Sequence, residues 1–193
     1  MILGLFPCEK ESCHPFADWG HLVFFDTQEH RIPNEPDQLV TIPKLETQWK
    51  ILYDVKRTEH LQVENPRKYY ALLTIRVGRD TIVSTAVSPT RIILGGHFRG
   101  HDNQPYDRNV VSGSRVPKVG EWTRIEIGHE EEDGKYFLSL AVGGGHALRG
   151  EVNDPALKNP TDVKLYIGCR PGSVRGVVYP LPGFVRRVVV LQK

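Results

Sequence analysis

The sequence is short of the features that mark several protein classes. Its 25 Lys and Arg against 23 Asp and Glu leave a formal net charge of +2. That is not the basic excess nucleic-acid binding needs, so no nucleic-acid partner is expected. No apolar run approaches the roughly 18 residues of a membrane helix, so no membrane insertion is expected either. No segment holds the i, i+3, i+4, i+7 apolar pattern over three turns, which argues against amphipathic helices. Internal repeats, low-complexity tracts and a dividing linker are missing, and the 193 residues are expected to form one domain. Neither G-x-S-x-G nor a P-loop occurs. Residues 1–6 are apolar but too short for a signal peptide, and they lack a basic n-region and a small-residue cleavage site. This fits either a cytosolic protein or a mature fragment behind a starting Met.

Cysteine is scarce: Cys8, Cys13 and Cys169. No CxxC spacing occurs, so a zinc ribbon is not expected. Cys8 and Cys13 enclose only four residues and are candidates for a small-loop disulfide. A clasp from the N-terminal segment to Cys169, or three free thiols in a reducing compartment, are the alternatives. No Asn-x-Ser/Thr acceptor is present, because Asn159 is followed by Pro160.

What the chain does have is alternation, cut into short pieces by 18 Gly and 14 Pro. After an irregular cysteine-bearing lead-in over residues 1–20, strands are expected at 21–26, 38–42, 48–56, 69–77, 81–87 and 90–94. Further strands are expected at 147–152, 162–167 and 184–191, with a short one at 110–111. Residues 69–77 are apolar on both faces and should be a central strand. The strongest signal is residues 120–142, GEWTRIEIGHEEEDGKYFLSLAV. Thr123, Ile125 and Ile127 share one face, as do Tyr136, Leu138, Leu140 and Val142. The polar stretch 129–134, ending in Asp133-Gly134, is expected to be the turn between them. About a dozen strands and no helix imply an all-β, antiparallel two-sheet sandwich.

Three segments carry a resemblance. They are residues 49–56 (WKILYDVK), residues 120–127 (GEWTRIEI) with 135–144 (KYFLSLAVGG), and residues 163–168 (VKLYIG) with 183–190 (GFVRRVVV). Together they resemble the laminin-G-like group of concanavalin A-like jelly rolls, which includes laminin G modules, pentraxins and thrombospondin N-terminal domains. The shared pattern is a G-x-W strand, a turn, a strand ending in a glycine reversal, and a closing strand. The resemblance implies a jelly roll. It also brings calcium in as a candidate ligand, with Asp80, Asp102 and Asp107 as loop acids, although no family calcium motif is found. The fold serves lectins, adhesion modules and glycan hydrolases alike, so function must come from the site.

Catalysis on this scaffold needs two carboxylates facing one cleft. Glu130, Glu131, Glu132 and Asp133 are consecutive beside Gly134 and are expected to form a solvated turn. The alternating Glu-x-Asp-x-x-Glu of jelly-roll glucanases is absent, and no catalytic residue is assigned. His97 and His101 stand four apart beside Asp102, but in a glycine-rich stretch that supplies no helix to aim them at one metal. Residues 95–109 are expected to be a long polar loop. There His97, Arg99, His101, Asp102, Asn103, Tyr106, Asp107 and Arg108 form the densest polar-aromatic group and the leading ligand-binding candidate. Arg170, Arg175 and Tyr179 form a weaker one. Arg186 and Arg187 are adjacent on a strand and are expected to face opposite ways. Trp122 either covers the second face of its sheet or lies in a groove.

The sequence therefore points to a non-enzymatic extracellular binding module, lectin-like or adhesion-like. It would recognise a glycan or a protein surface through loops at one rim. A self-associating structural domain, hence a homo-oligomer, is the rival, and a glycan-cleaving enzyme of the same fold is a more distant one.

Overall fold

The apolar residues that alternate in the sequence meet between two sheets. In the computed structural model residues 19–23, 28–33, 40–61, 69–99, 105–168 and 178–193 are described. Cys8, Cys13 and Cys169 lie outside them. The strands are β1 (Gly20–Val23), β2 (His30–Arg31), β3 (Val40–Lys44), β4 (Trp49–Arg57), β5 (Tyr69–Val77), β6 (Asp80–Val87) and β7 (Ile92–Arg99). They continue with β8 (Pro105–Gly113), β9 (Trp122–Glu132), β10 (Lys135–Val142), β11 (Leu148–Glu151), β12 (Thr161–Ile167), β13 (Val178–Tyr179) and β14 (Gly183–Gln192). Among the described residues one 3-10 turn, Pro155–Leu157, is the only helical element.

The first sheet runs β1-β14-β4-β9-β10-β11, with β2 also on β14. The second runs β3-β12-β5-β6-β7-β8, with β13 on β5. All pairings between these named strands are antiparallel except the short β13–β5 pair. This is an all-β jelly-roll sandwich. Its core joins Trp49, Ile51, Tyr53, Val55, Ile125, Ile127, Leu138, Leu140, Val188 and Val190 of the first sheet to Ile42, Leu73, Ile75, Val163 and Leu165 of the second. Residues 70–75 of β5 are buried without a break. That matches a strand in mid-sheet covered on both faces. β3 carries Pro43 and pairs only with β12, and an edge strand is where a proline's missing N–H does least harm.

Two expectations about loops are corrected. The turn expected over residues 129–134 is only Asp133-Gly134, both at positive φ (53° and 73°). Lys135 pairs directly with Glu132, so this is a two-residue hairpin of the primed type, and His129 to Glu132 belong to β9. A run of acids simply does not look like strand, although cross-strand partners can hold it there. Likewise residues 95–99 and 105–109, expected in a long loop, are paired strand. His97 stands opposite Asp107, Phe98 opposite Tyr106 and Arg99 opposite Pro105, with a register shift after Leu94. β8 is the edge of its sheet, where one-sided burial is not imposed and the apolar alternation can lapse.

Candidate ligand-binding face

The first sheet turns Trp49, Ile51, Tyr53 and Val55 inward, which sends Lys50, Leu52, Asp54 and Lys56 to its other face. β9 runs antiparallel beside it, with Asp54 opposite Arg124 and Lys56 opposite Trp122. On the other flank β14 sets Phe184 opposite Lys56 and Arg186 opposite Asp54. Three strands thus bring one aspartate, two aromatic rings and several cations onto one outer face.

Asp54 is the centre. Its carboxylate is 9% exposed and accepts from Arg124 (Nη1 to Oδ1, 3.1 Å) and Arg186 (Nε to Oδ2, 3.4 Å). Arg187 Nη1 lies 3.6 Å from Oδ2. The expectation that Arg186 and Arg187 face opposite ways is therefore corrected. Arg186 pairs with Asp54 and Val189 with Leu52, so β14 carries one more residue than β4 between these points. Arg187 takes a left-handed backbone (φ 50°). This β-bulge folds the second arginine back toward the first.

The Trp122 ring has the Lys56 ammonium 4.7 Å and the Arg186 guanidinium 4.0 Å from its centroid. The Lys56 ammonium also lies 5.3 Å from the Phe184 centroid and pairs with Glu29 at 3.2 Å. Four cations thus face two carboxylates, Asp54 and Glu29. Glu126, two residues beyond Arg124 on β9, stands opposite Leu52. Half-exposed Arg187 and the third-exposed Arg124 keep donors toward solvent while Asp54 fixes their position. The arrangement suits a ligand with carboxylate or sulfate groups and a flat or apolar surface for Trp122.

Toward the hairpin tip the same face is balanced rather than cationic. Glu130 pairs with Lys50 at 2.9 Å and accepts from the Ser139 hydroxyl at 3.3 Å. Glu132 pairs with Arg149 at 2.8 Å, and Glu151 with Lys135 at 3.6 Å. These acids lace the strands together through cross-strand partners.

On the inner side, His129 is 1% exposed between Trp49 and Tyr136, with ring centroids 6.0 and 5.5 Å away. Its Nδ1–H donates to the Thr47 carbonyl at 2.6 Å. The Lys158 ammonium caps the Tyr136 ring at 3.9 Å. Burial, with help from the Lys158 charge, holds the His129 pKa below its ordinary value, against the Thr47 bond and Glu130. His129 is a neutral core residue that sequence reading placed in the turn. Its parity with Ile125 and Ile127 was the available signal.

The sequence-proposed ligand group is only partly placed. His97 and Arg99 lie in β7, and Tyr106, Asp107 and Arg108 in β8. His101, Asp102, Asn103, Arg170 and Arg175 fall outside the described residues. Tyr179 packs on Tyr70, ring centroids 5.8 Å apart. Asp80 starts β6 directly opposite Val77. Among the described residues no three His, Cys, Asp or Glu side chains converge as metal ligands. No described helix is long and apolar enough to cross a membrane. The residues that sequence reading missed are Asp54, Lys56 and Arg124, which looked like the plain polar side of two strands.

No protein-family model and no curated protein matches the chain. Solved structures do. Domains LG4-5 of the mouse laminin alpha1 chain superpose with a TM-score of 0.51 at 14% identity, covering 88% of this chain and 41% of that one. The chain thus spans less than half of that laminin structure. The SAP-like pentraxin of Limulus polyphemus gives 0.49 at 14% identity, over 88% of this chain and 75% of that one. A CBM40 of the Ruminococcus gnavus IT-sialidase, bound to alpha2,3 sialyllactose, gives 0.47 at 14% identity, over 86% and 90%. At these identities the likeness is one of fold: the chain has the laminin-G-like, concanavalin A-like jelly roll.

Proposed function

We propose that this chain is a non-enzymatic binding module that holds an acidic glycan on the outer face of its first sheet. The observation that carries the reading is the joint arrangement of Trp122, flanked by Lys56 and Arg186, and three arginines sharing the single carboxylate of Asp54. A sugar ring can lie against the indole while its uronate or sulfate takes the guanidinium donors left over. The charge is fixed before the ligand arrives, which lowers the ordering cost of binding. An extracellular setting, where acidic polysaccharides are abundant, goes with this reading.

An array of sulfated, uronate-bearing and neutral glycans tests it. Binding is expected on the anionic glycans alone, weakened about tenfold or more in Arg124→Gln. Equal binding of neutral glycans, or an unchanged array with Arg124→Gln, rejects the proposal. An acidic protein captured in a pull-down while every glycan fails would move the same face to a protein partner. The β7–β8 hairpin around His97, Arg99, Tyr106, Asp107 and Arg108 is a second proposed surface, supported by its density of polar and aromatic residues at a sheet edge.

A further inference from the structure

At one side of the sandwich the edge strands of the two sheets meet. Gly150 of β11 lies so close to β8 that a Cβ built there would sit 2.5 Å from the Val110 carbonyl oxygen. Beside this contact opens a cleft of about 410 Å³, within the roughly 300–1,000 Å³ of small-molecule sites. Ile92, Leu140 and Val142 line it with buried apolar surface. Leu148, 42% exposed, lines it too and is the exposed large apolar side chain among the described residues. The polar lining consists of Ser112, Ser114, Arg115 and His146, with no described carboxylate.

Arg115 is held without a carboxylate partner among the described residues. Its Nη1 donates to the Val142 carbonyl at 3.1 Å. The guanidinium crosses bare Gly145, where an added Cβ would lie 2.2 Å from Nη1. A backbone carbonyl uses one of five donors and supplies no countercharge. An apolar cleft beside a positioned, uncompensated guanidinium is complementary to one ligand type.

We propose that the cleft binds a small amphipathic carboxylate, independently of the acidic-glycan face. Its apolar body would lie against Ile92, Leu140, Val142 and Leu148, with the carboxylate on Arg115 and His146 alongside. Titrating the whole chain with benzoate, followed by amide NMR, tests this. Saturable shifts are expected over residues 112–115 and 145–148. Benzyl alcohol, matched in shape but uncharged, should bind at least about tenfold more weakly, and Arg115→Gln should reduce benzoate binding by a similar factor. Gly145→Ala, which displaces the guanidinium, gives a second route to the same loss if Arg115→Gln does not fold. Equal binding of the two compounds, benzoate binding unchanged in whichever of these variants folds, or no saturable shift in these segments would overturn the proposal.

Discussion

At Asp54 one carboxylate serves three guanidinium groups, and its removal should be felt in stability before function. Asp54→Asn leaves the three arginines without their shared countercharge. The arginines keep some solvent, so the loss should be about 2 kcal/mol, less than for a fully buried pair. A urea titration measures it. Arg187→Gln, at a half-exposed position, should change stability by less than about 0.5 kcal/mol while weakening acidic-glycan binding. His129 adds a pH dependence. Its pKa is lowered in the folded state, so the unfolded chain takes up the proton first. The stability it contributes is complete above about pH 6.5 and declines as pH falls below that value. Denaturant midpoints at pH 7 and pH 5.5 should differ for the native sequence, and the difference should shrink in His129→Phe. An unchanged difference would remove His129 from the account. Single residues were the least legible level in the sequence. Strand parity says that Asp54, Lys56 and Arg124 face outward, but not that β4, β9 and β14 pair so as to set them beside Arg186.

The elements were far more legible, because a buried strand must repeat every two residues. Residues 49–56, 123–127 and 136–142 fall in strands as their alternation requires, and the doubly apolar 69–77 and the β-branched 184–191 are strands as well. What alternation cannot show is a polar strand or a bulge. Residues 95–99 of β7 and 105–109 of the edge strand β8 are rich in glycine and polar residues, and β9 ends in three glutamates, so these stretches looked like loops. The bulge in β14 has a distinct signature. Two residues, Arg187 and Val188, stand against Tyr53 alone. Deleting Arg187 should heal the strand, since Val185, Val188 and Val190 would then alternate regularly and still face the core. The expected result is a folded variant with a cooperative melt and weaker acidic-glycan binding. Loss of folding would show that the bulge itself is required by the packing.

For the whole molecule, the sandwich provides a rigid plate with two chemically different zones on one outer face. Near the hairpin tip, cross-strand ion pairs balance, while around Trp122 cations exceed carboxylates. Attraction to a polyanion should therefore weaken with ionic strength, as exposed charges are screened over about 10 Å at 0.1 M salt. The most direct measurement is amide and indole NMR of the whole chain titrated with a galacturonate oligosaccharide and with a neutral glucan fragment. The acidic sugar should shift the Trp122 indole and the amides of Lys56, Arg124, Arg186 and Arg187, the neutral one should not, and Trp122→Ala should lose the response. Shifts confined to the β7–β8 hairpin, or the same response to both sugars, would contradict the acidic-glycan reading.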